Sequence, residues 1–264
     1  MSPEQRVYTT QLHAGLGLID ETQRLLSLYE TGCSTSQLYQ QALDSGLFPK
    51  ISARRLRNIV VECFAPRYIK THAAAHLKPL VSGLPSANLQ QLFLIYTAEA
   101  NAILHDFILD VYWPCYAGGV NTMTTDDAKA FVRQALRDGK TLRPWSESTI
   151  QRVSSYLVGC CADYGLLSAG RSATRRIQPV RLHDSTVLYL AYRLHFQGLG
   201  DQAVLQHPSW ALLGLDSLEV REELKRLAKN GGLIVQSAGA ITRISWPLKT
   251  MEDVIDVIVE CGFQ

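Results

Sequence analysis

Apolar residues recur at intervals of three and four positions along most of the first 118 residues, and this spacing predicts amphipathic helices. Polar or helix-breaking residues divide the pattern into segments over residues 11–30, 53–69 and 72–81. The longest apolar segment, Leu89–Val111, predicts the central helix of an N-terminal helical bundle. We therefore expect a mainly α fold whose first domain, this bundle, covers residues 1–118.

The next part of the chain, residues 119–182, begins with two helical patterns. The first runs over residues 125–139 and has acidic residues in its first turn, where they favour the helix dipole. The second begins after Ser146, a residue type that caps helix N-termini well. Three apolar residues of this second helix are spaced to face a core: Ile150, Val153 and Leu157.

A β-hairpin is predicted directly after the second helix. Its first strand starts at Leu166, Gly170 permits the turn, and residues 177–180 form the return strand. Two helices followed by a small hairpin predict a winged helix-turn-helix in residues 119–182, with the hairpin as its wing. The predicted tip of the wing is basic and holds Arg171, Arg175 and Arg176.

The side of the second helix that faces away from the predicted core suits the major groove of DNA. Its residues are short or form hydrogen bonds easily: Ser148, Gln151, Arg152, Ser155 and Gly159. Small residues allow close approach to DNA, and Gln, Ser and Arg can meet base edges or phosphates. A solvated helix face more often carries pairs of Glu and Lys.

Positive charge is concentrated in the same part of the chain. Residues 140–181 contain seven basic and two acidic side chains, a net charge of +5, whereas the whole chain carries only +2. Such a concentration is typical of a site for a polyanion. Five residues are predicted to hold phosphates, namely Lys140, Arg143, Arg171, Arg175 and Arg176. A weaker basic cluster is predicted on the outer face of the 53–69 helix, formed by Arg54, Arg55 and Arg57 with Arg67 and Lys70 beyond.

The last part of the chain, residues 183–264, is predicted to be a helical region with a second helix–hairpin unit. Residues 217–230 form a charged amphipathic helix, and two short strands follow around residues 237–239. This helix carries charges of both signs. Packing or contact with a protein partner is therefore favoured there over nucleic-acid binding.

Composition and cysteine usage indicate a folded cytoplasmic protein. The chain is 47% hydrophobic and 19% charged, so it can bury a core. Its six cysteines form no CxxC pair, and we expect reduced, mostly buried thiols. We find no pattern of a signal peptide, and charged and amide residues interrupt Leu89–Val111, so no membrane contact is expected.

Catalytic signatures are weak, and we expect neither an enzyme nor a bound cofactor or metal. The string GLGDQA at residues 198–203 resembles a dinucleotide motif, but it follows a helical pattern instead of a strand. His72 and His76 have a spacing that can hold a metal, yet no third ligand is evident.

Several segments together resemble the BrxA family of bacterial BREX (bacteriophage exclusion) systems, nearly end to end. The resemblance rests on YTTQLHAGLGLIDETQRLL, ISARRLRNIV, HDFILDV, STIQRVSSYLVGCCADYGLL and WALLGLDSLEVREELKRLAKNGGLIVQSAGAITRISW. It implies a small helical, non-enzymatic DNA-binding component of a defence operon that also encodes a methyltransferase and ATPases. The family supplies no catalytic residues to carry over.

Two functions stay open at this point. The first is binding of double-stranded DNA through the winged helix and its basic wing. The alternative is a protein-interaction adaptor that docks other BREX subunits and whose arginines meet acidic protein surfaces instead of DNA.

Overall fold

The structure, a computed structural model, describes residues 7–10, 17–170, 172–239 and 241–260. It confirms the mainly α fold and contains two small antiparallel sheets of two strands each. The described chain forms two compact units. One comprises the residues up to Ala75 together with Phe93–Val180, and the other comprises His76–Leu92 together with the residues from Arg181 onward. The division into domains at residues 118 and 182 stays a prediction.

Helices make up most of the first unit. Those before residue 75 are α1 (Ile19–Leu28), α2 (Thr35–Asp44), α3 (Ala53–Asn58) and a π-helical segment, Ile59–Ile69. Helices α4 (Ala73–Gly83) and α5 (Ser86–Ala100) contribute residues to both units. After α5 come α6 (Ala102–Phe107), a π-helical turn (Ile108–Tyr112) and α7 (Trp113–Ala117).

Arg67 lies in the core of the first unit, so its predicted place on an outer basic face is wrong. Its side chain is only 2% exposed. Arg67 lies four positions after Cys63 and eleven after Leu56, and both of these residues are buried. A spacing of 3.6 residues per turn therefore already places Arg67 on the inner face of the helix. Its charge, and not its spacing, had suggested an outer position.

The predicted long helix Leu89–Val111 is broken at Asn101. The backbone of Asn101 is extended (φ −132°, ψ 94°), and its side-chain amide donates to the carbonyl oxygen of Thr97 at 2.8 Å. The helical segments on its two sides meet at 115°. None of the described helices alone is both long enough and apolar enough to cross a bilayer. Among the described residues, only this bent pair meets both criteria, and only when its two helices are counted together.

Residues 122–176 contain two helices and a small sheet in the order β1 (Thr122–Thr124), α8 (Thr125–Arg137), α9 (Glu147–Asp163) and β2 (Thr174–Arg176). Strands β1 and β2 are antiparallel, with Thr122 opposite Arg176 and Thr124 opposite Thr174. Side chains fix both helix starts, because Thr124 forms a capping box with Asp127 and Ser146 accepts from the N–H of Thr149.

The predicted hairpin after α9 is only partly correct. Its two strands reduce to a single antiparallel bridge between Leu167 and Ile177, and the return strand lies earlier, at β2. The main partner of β2 is β1, which precedes α8 in the chain and was not predicted. Pairing between segments about 50 residues apart leaves no local turn signal, so the sequence pattern could not reveal it.

The second unit contains α10 (Asp184–Phe196), α11 (Asp201–Leu205), a 3₁₀ turn (Pro208–Leu213), α12 (Ser217–Ala228), β3 (Ile234–Ala238), β4 (Ile241–Ser245) and α13 (Met251–Glu260). The predicted helix and hairpin here are confirmed as α12 and the antiparallel pair β3–β4. Trp210 anchors the core and is only 1% exposed. Its indole N–H donates to the carbonyl oxygen of Val204 at 2.7 Å, which satisfies the one polar group of the buried ring.

Candidate nucleic-acid interface

Helix α9 has one buried and one exposed side, as its apolar spacing predicted. Ile150, Val153 and Leu157 are buried, while the four polar residues chosen for DNA contact are all exposed, namely Ser148, Gln151, Arg152 and Ser155. Gly159 is buried, so its predicted place on the outer side is wrong. The exposed side of α9 therefore ends before Gly159 and covers the first two to three turns of the helix.

The polar groups on this side bond only to one another. The Ser155 hydroxyl donates to the Gln151 carbonyl oxygen at 2.9 Å, and the Gln151 amide donates to the Ser155 hydroxyl at 3.3 Å. The Ser148 hydroxyl lies 3.0 Å from that of Ser146. Because these bonds are local and open to water, a ligand can replace them at little cost.

Arg152 is exposed on the same side of α9 and carries an uncompensated charge. The nearest acidic residue in the helix, Glu147, instead pairs with Arg133 of α8 at 2.5 Å. Within the described part of the chain, no carboxylate pairs with Arg152. Arg143, in the loop between α8 and α9, is also exposed. Both guanidinium groups are therefore available to an anion.

Lys140 has an internal role that its predicted contact with phosphate did not foresee. Its ammonium group lies 3.2 Å from an Asp106 carboxylate oxygen and 3.1 Å from the Tyr8 hydroxyl, which itself donates to Asp106 at 2.6 Å. Burial alone would raise the pKa of Asp106, but hydrogen bonds from His105, Tyr8 and Lys140 hold that pKa well below its ordinary value. The charge of Lys140 is thus already balanced.

We expect Asp106→Asn to lower the free energy of unfolding at pH 7 by about 1–3 kcal/mol, because it removes the anion that these donors share. A carboxyl group whose pKa is depressed in the folded state stabilises the fold above its unfolded pKa of about 4, and this contribution declines as the pH falls further. Denaturant unfolding at pH 7 and pH 3 should show the difference between variant and parent shrinking at the lower pH. Asp110→Asn, at an exposed carboxylate nearby, is the control, and an Asp106 effect equal at both pH values would contradict the assignment.

The three arginines predicted at the wing differ in their surroundings. Arg171 lies outside the described residues. Arg175 is half-buried, and its charge acts on Asp163 and Cys161 near the end of α9. Burial raises the pKa of Asp163, and the charge of Arg175 lowers it in part. Arg176, the last residue of β2, is exposed and is the described wing arginine best placed for a phosphate.

The second basic cluster also separates into available and engaged residues. Arg54, Arg55 and Arg57 are all exposed on α3. Arg55 borders a cleft of about 330 Å³ whose other walls include Asp20, Glu21 and Asp163. Arg54 and Arg57 do not border this cleft.

One residue that the sequence reasoning missed stands in the α8–α9 loop. Leu142 is 84% exposed, between Lys140 and Arg143, which were both singled out for their charge. A single leucine in a polar loop between two helices was the sequence signal that could have identified it. Among the described residues, no group of three or more His, Cys, Asp or Glu side chains is arranged to hold a metal ion.

Comparison with known proteins identifies the family. A family model described as BrxA matches residues 6–193. A search of curated proteins found no significant match. Among solved structures, the chain is similar to the crystal structure of an uncharacterized protein from Magnetospirillum magneticum, with a TM-score of 0.57 and 15% identity over 76% of this chain and 97% of that chain. That likeness concerns the fold alone. Since the family match covers most of the sequence, the chain belongs to the BrxA family, and this membership implies a role associated with BREX.

Proposed function

We propose that residues 122–176 form a winged helix-turn-helix that binds double-stranded DNA. The order of the elements supports this proposal, because strand β1 precedes α8 and pairs with β2, which follows α9. A sheet that joins the two ends of a helix pair holds those helices in a fixed relation. Only a short segment separates α9 from the Leu167–Ile177 bridge. The described residues on the other side of the bridge, 168–170 and 172–176, belong to the proposed wing.

In this proposal, the exposed side of α9 enters the major groove. Gln151 and Arg152 are the two residue types there that can bond to the edges of adenine and guanine, respectively. Ser148 and Ser155 flank them and are short enough for the helix to approach closely. The observation that carries the proposal is Arg152 at the centre of this surface, which is exposed and has no carboxylate partner among the described residues.

Phosphates would be held by the exposed arginines around this surface, Arg143 and Arg176, with Arg54 and Arg57 as further candidates. Lys140 and Arg175 are removed from this set, because acidic groups act on them. Arg55 is left out because three carboxylates line the same cleft. Contacts with phosphate give a salt-dependent affinity that is largely independent of DNA sequence.

The test is a titration of a fluorescently labelled duplex of about 20 base pairs with the full chain. Phosphate contacts alone give a Kd of about 1–100 µM at physiological salt. The proposed base contacts of Gln151 and Arg152 predict tighter binding, in the micromolar range or below. The affinity should fall steeply as salt rises. Absence of binding at micromolar protein would contradict the proposal and favour the second candidate.

The second candidate is an adaptor that docks other BREX subunits, and helix α12 favours it for the second unit. Arg226 of α12 contacts Asp184 at 2.5 Å and Glu223 at 2.8 Å, and Lys225 contacts Glu222 at 2.9 Å. Cations neutralised in this way attract DNA weakly. Leu218, on the same helix, is 59% exposed and could contact an apolar protein surface.

A further inference from the structure

Leu142 is the most exposed large hydrophobic residue among the described residues, at 84%. An exposed leucine forgoes about 1.5–3 kcal/mol of possible burial, although single exposed leucines are common on protein surfaces. Its position is therefore more informative than its exposure. It lies in the loop that leads into α9, directly beside the exposed Arg143.

The backbone just before Leu142 is held firmly. The Tyr8 N–H donates to the Lys140 carbonyl oxygen at 2.7 Å, and Tyr8 and Thr141 form a parallel bridge. The Tyr8 side chain is only 3% exposed, and its hydroxyl bonds to Asp106. The start of the loop is thus tied to two other segments of the same unit.

The residues after Leu142 restrict the loop from the other side. Pro144 has a fixed φ, and Trp145 is half-buried. Together with Leu136, Leu142 and Trp145 line an open cleft of about 200 Å³. Leu142 thus borders this cleft and is exposed, in a loop whose backbone is restricted on both sides.

We propose that Leu142 is an apolar wedge that enters a base step of the bound duplex and kinks it. This inference rests on the DNA binding proposed above. Proteins that kink DNA insert apolar side chains such as leucine between base steps. Arg143 is the exposed cation in the adjacent position, and Arg152 of α9 is also exposed. These positive charges favour a polyanion at this loop over an apolar protein surface.

The wedge also predicts which steps are kinked. Opening a base step costs a few kcal/mol of stacking free energy, and burial of the leucine side chain offsets part of this cost. Pyrimidine–purine steps are the easiest to open. Leu142 therefore makes binding depend on the flexibility of the DNA even where no base edge is contacted.

The experiment measures ligase-dependent ring closure of a DNA fragment of about 150 base pairs, close to one persistence length, where kinks accelerate closure strongly. Parent protein and variants are compared at concentrations that give equal occupancy of the DNA. The variants are Leu142→Ala, which removes the wedge, and Leu142→Met, which retains an apolar side chain of similar length. Leu47→Ala, at another exposed loop leucine of the same unit, is the matched control.

The parent, Leu142→Met and Leu47→Ala should accelerate ring closure, and Leu142→Ala should lose that acceleration while its affinity falls by roughly tenfold or less. Binding without acceleration by the parent, or equal acceleration by Leu142→Ala, would overturn the wedge but leave the DNA-binding proposal intact. Either result would favour a contact between Leu142 and a protein partner instead. If the parent does not bind DNA at all, both proposals are overturned.

Discussion

Replacing Arg143, Arg152 and Arg176 together with glutamine is expected to weaken binding to every duplex and to flatten its dependence on salt. Each lost phosphate contact removes about 0.9 from the slope of log K against log salt concentration, so loss of the two proposed phosphate contacts, Arg143 and Arg176, removes about 1.8. Loss of Arg152 removes the proposed base contact. All three arginines are exposed, and Arg152 has no carboxylate partner in the described part of the chain. Their replacement should leave the fold unchanged, because surface substitutions of this kind usually alter stability little.

The matched control replaces three exposed cations elsewhere in the first unit, Arg24, Lys50 and Lys70, with glutamine. The change in net charge is identical, so any effect of overall charge appears in both triple variants. Affinities are measured by fluorescence anisotropy at four or more salt concentrations. An equal loss of slope in both variants would mean that net charge, and not the α9 surface, attracts the DNA.

Leu157→Ala is expected to lower the free energy of unfolding by about 2–5 kcal/mol, the range found when a buried leucine is truncated in a packed core. Leu157 is fully buried, at 0% exposure, on the inner side of α9. Ser155→Ala, two residues earlier on the exposed side, should change stability by about 0.5 kcal/mol or less. The pair tests which way the helix faces, since both residues lie in the same helix and both are replaced with alanine.

Denaturant unfolding measures this difference directly, with circular dichroism to report the helical content. When both variants are folded, Ser155→Ala should bind DNA more weakly than Leu157→Ala. Ser155→Ala removes a group proposed to face the groove, whereas Leu157→Ala removes none. Similar stability losses for both variants would show that α9 is rotated relative to the structure.

Local patterns predicted the parts of the fold that depend on neighbouring residues. The start of α9 at Ser146 and its buried stripe followed from a capping residue and from helical spacing. The helix α12 and the hairpin β3–β4 followed from an amphipathic pattern and a short turn. Each of these features involves residues within about one helical turn or one hairpin of each other, where sequence pattern carries most of the information.

The features that the sequence did not predict depend on distant residues or on irregular backbone. The pairing of β1 with β2 joins strands separated by two helices. The break at Asn101 comes from a departure from α-helical geometry. Arg67 was placed outside because of its charge, although its spacing from Leu56 and Cys63 matches the buried face. Lys140 was expected to bind phosphate. Its actual partner, Asp106, lies 34 positions earlier in the chain, so no local pattern revealed the pairing. Of the five residues chosen on the outer side of α9, four are exposed and Gly159 is buried.

The central claim is that the exposed side of α9 contacts DNA, and site-specific photocrosslinking tests it most directly. A benzophenone amino acid is introduced in place of Gln151 on α9 and, separately, in place of Gln134, an exposed residue of α8. After irradiation with a labelled duplex, we expect a covalent protein–DNA product from position 151 and little from position 134. Binding of the duplex without a crosslink at position 151 would contradict the account.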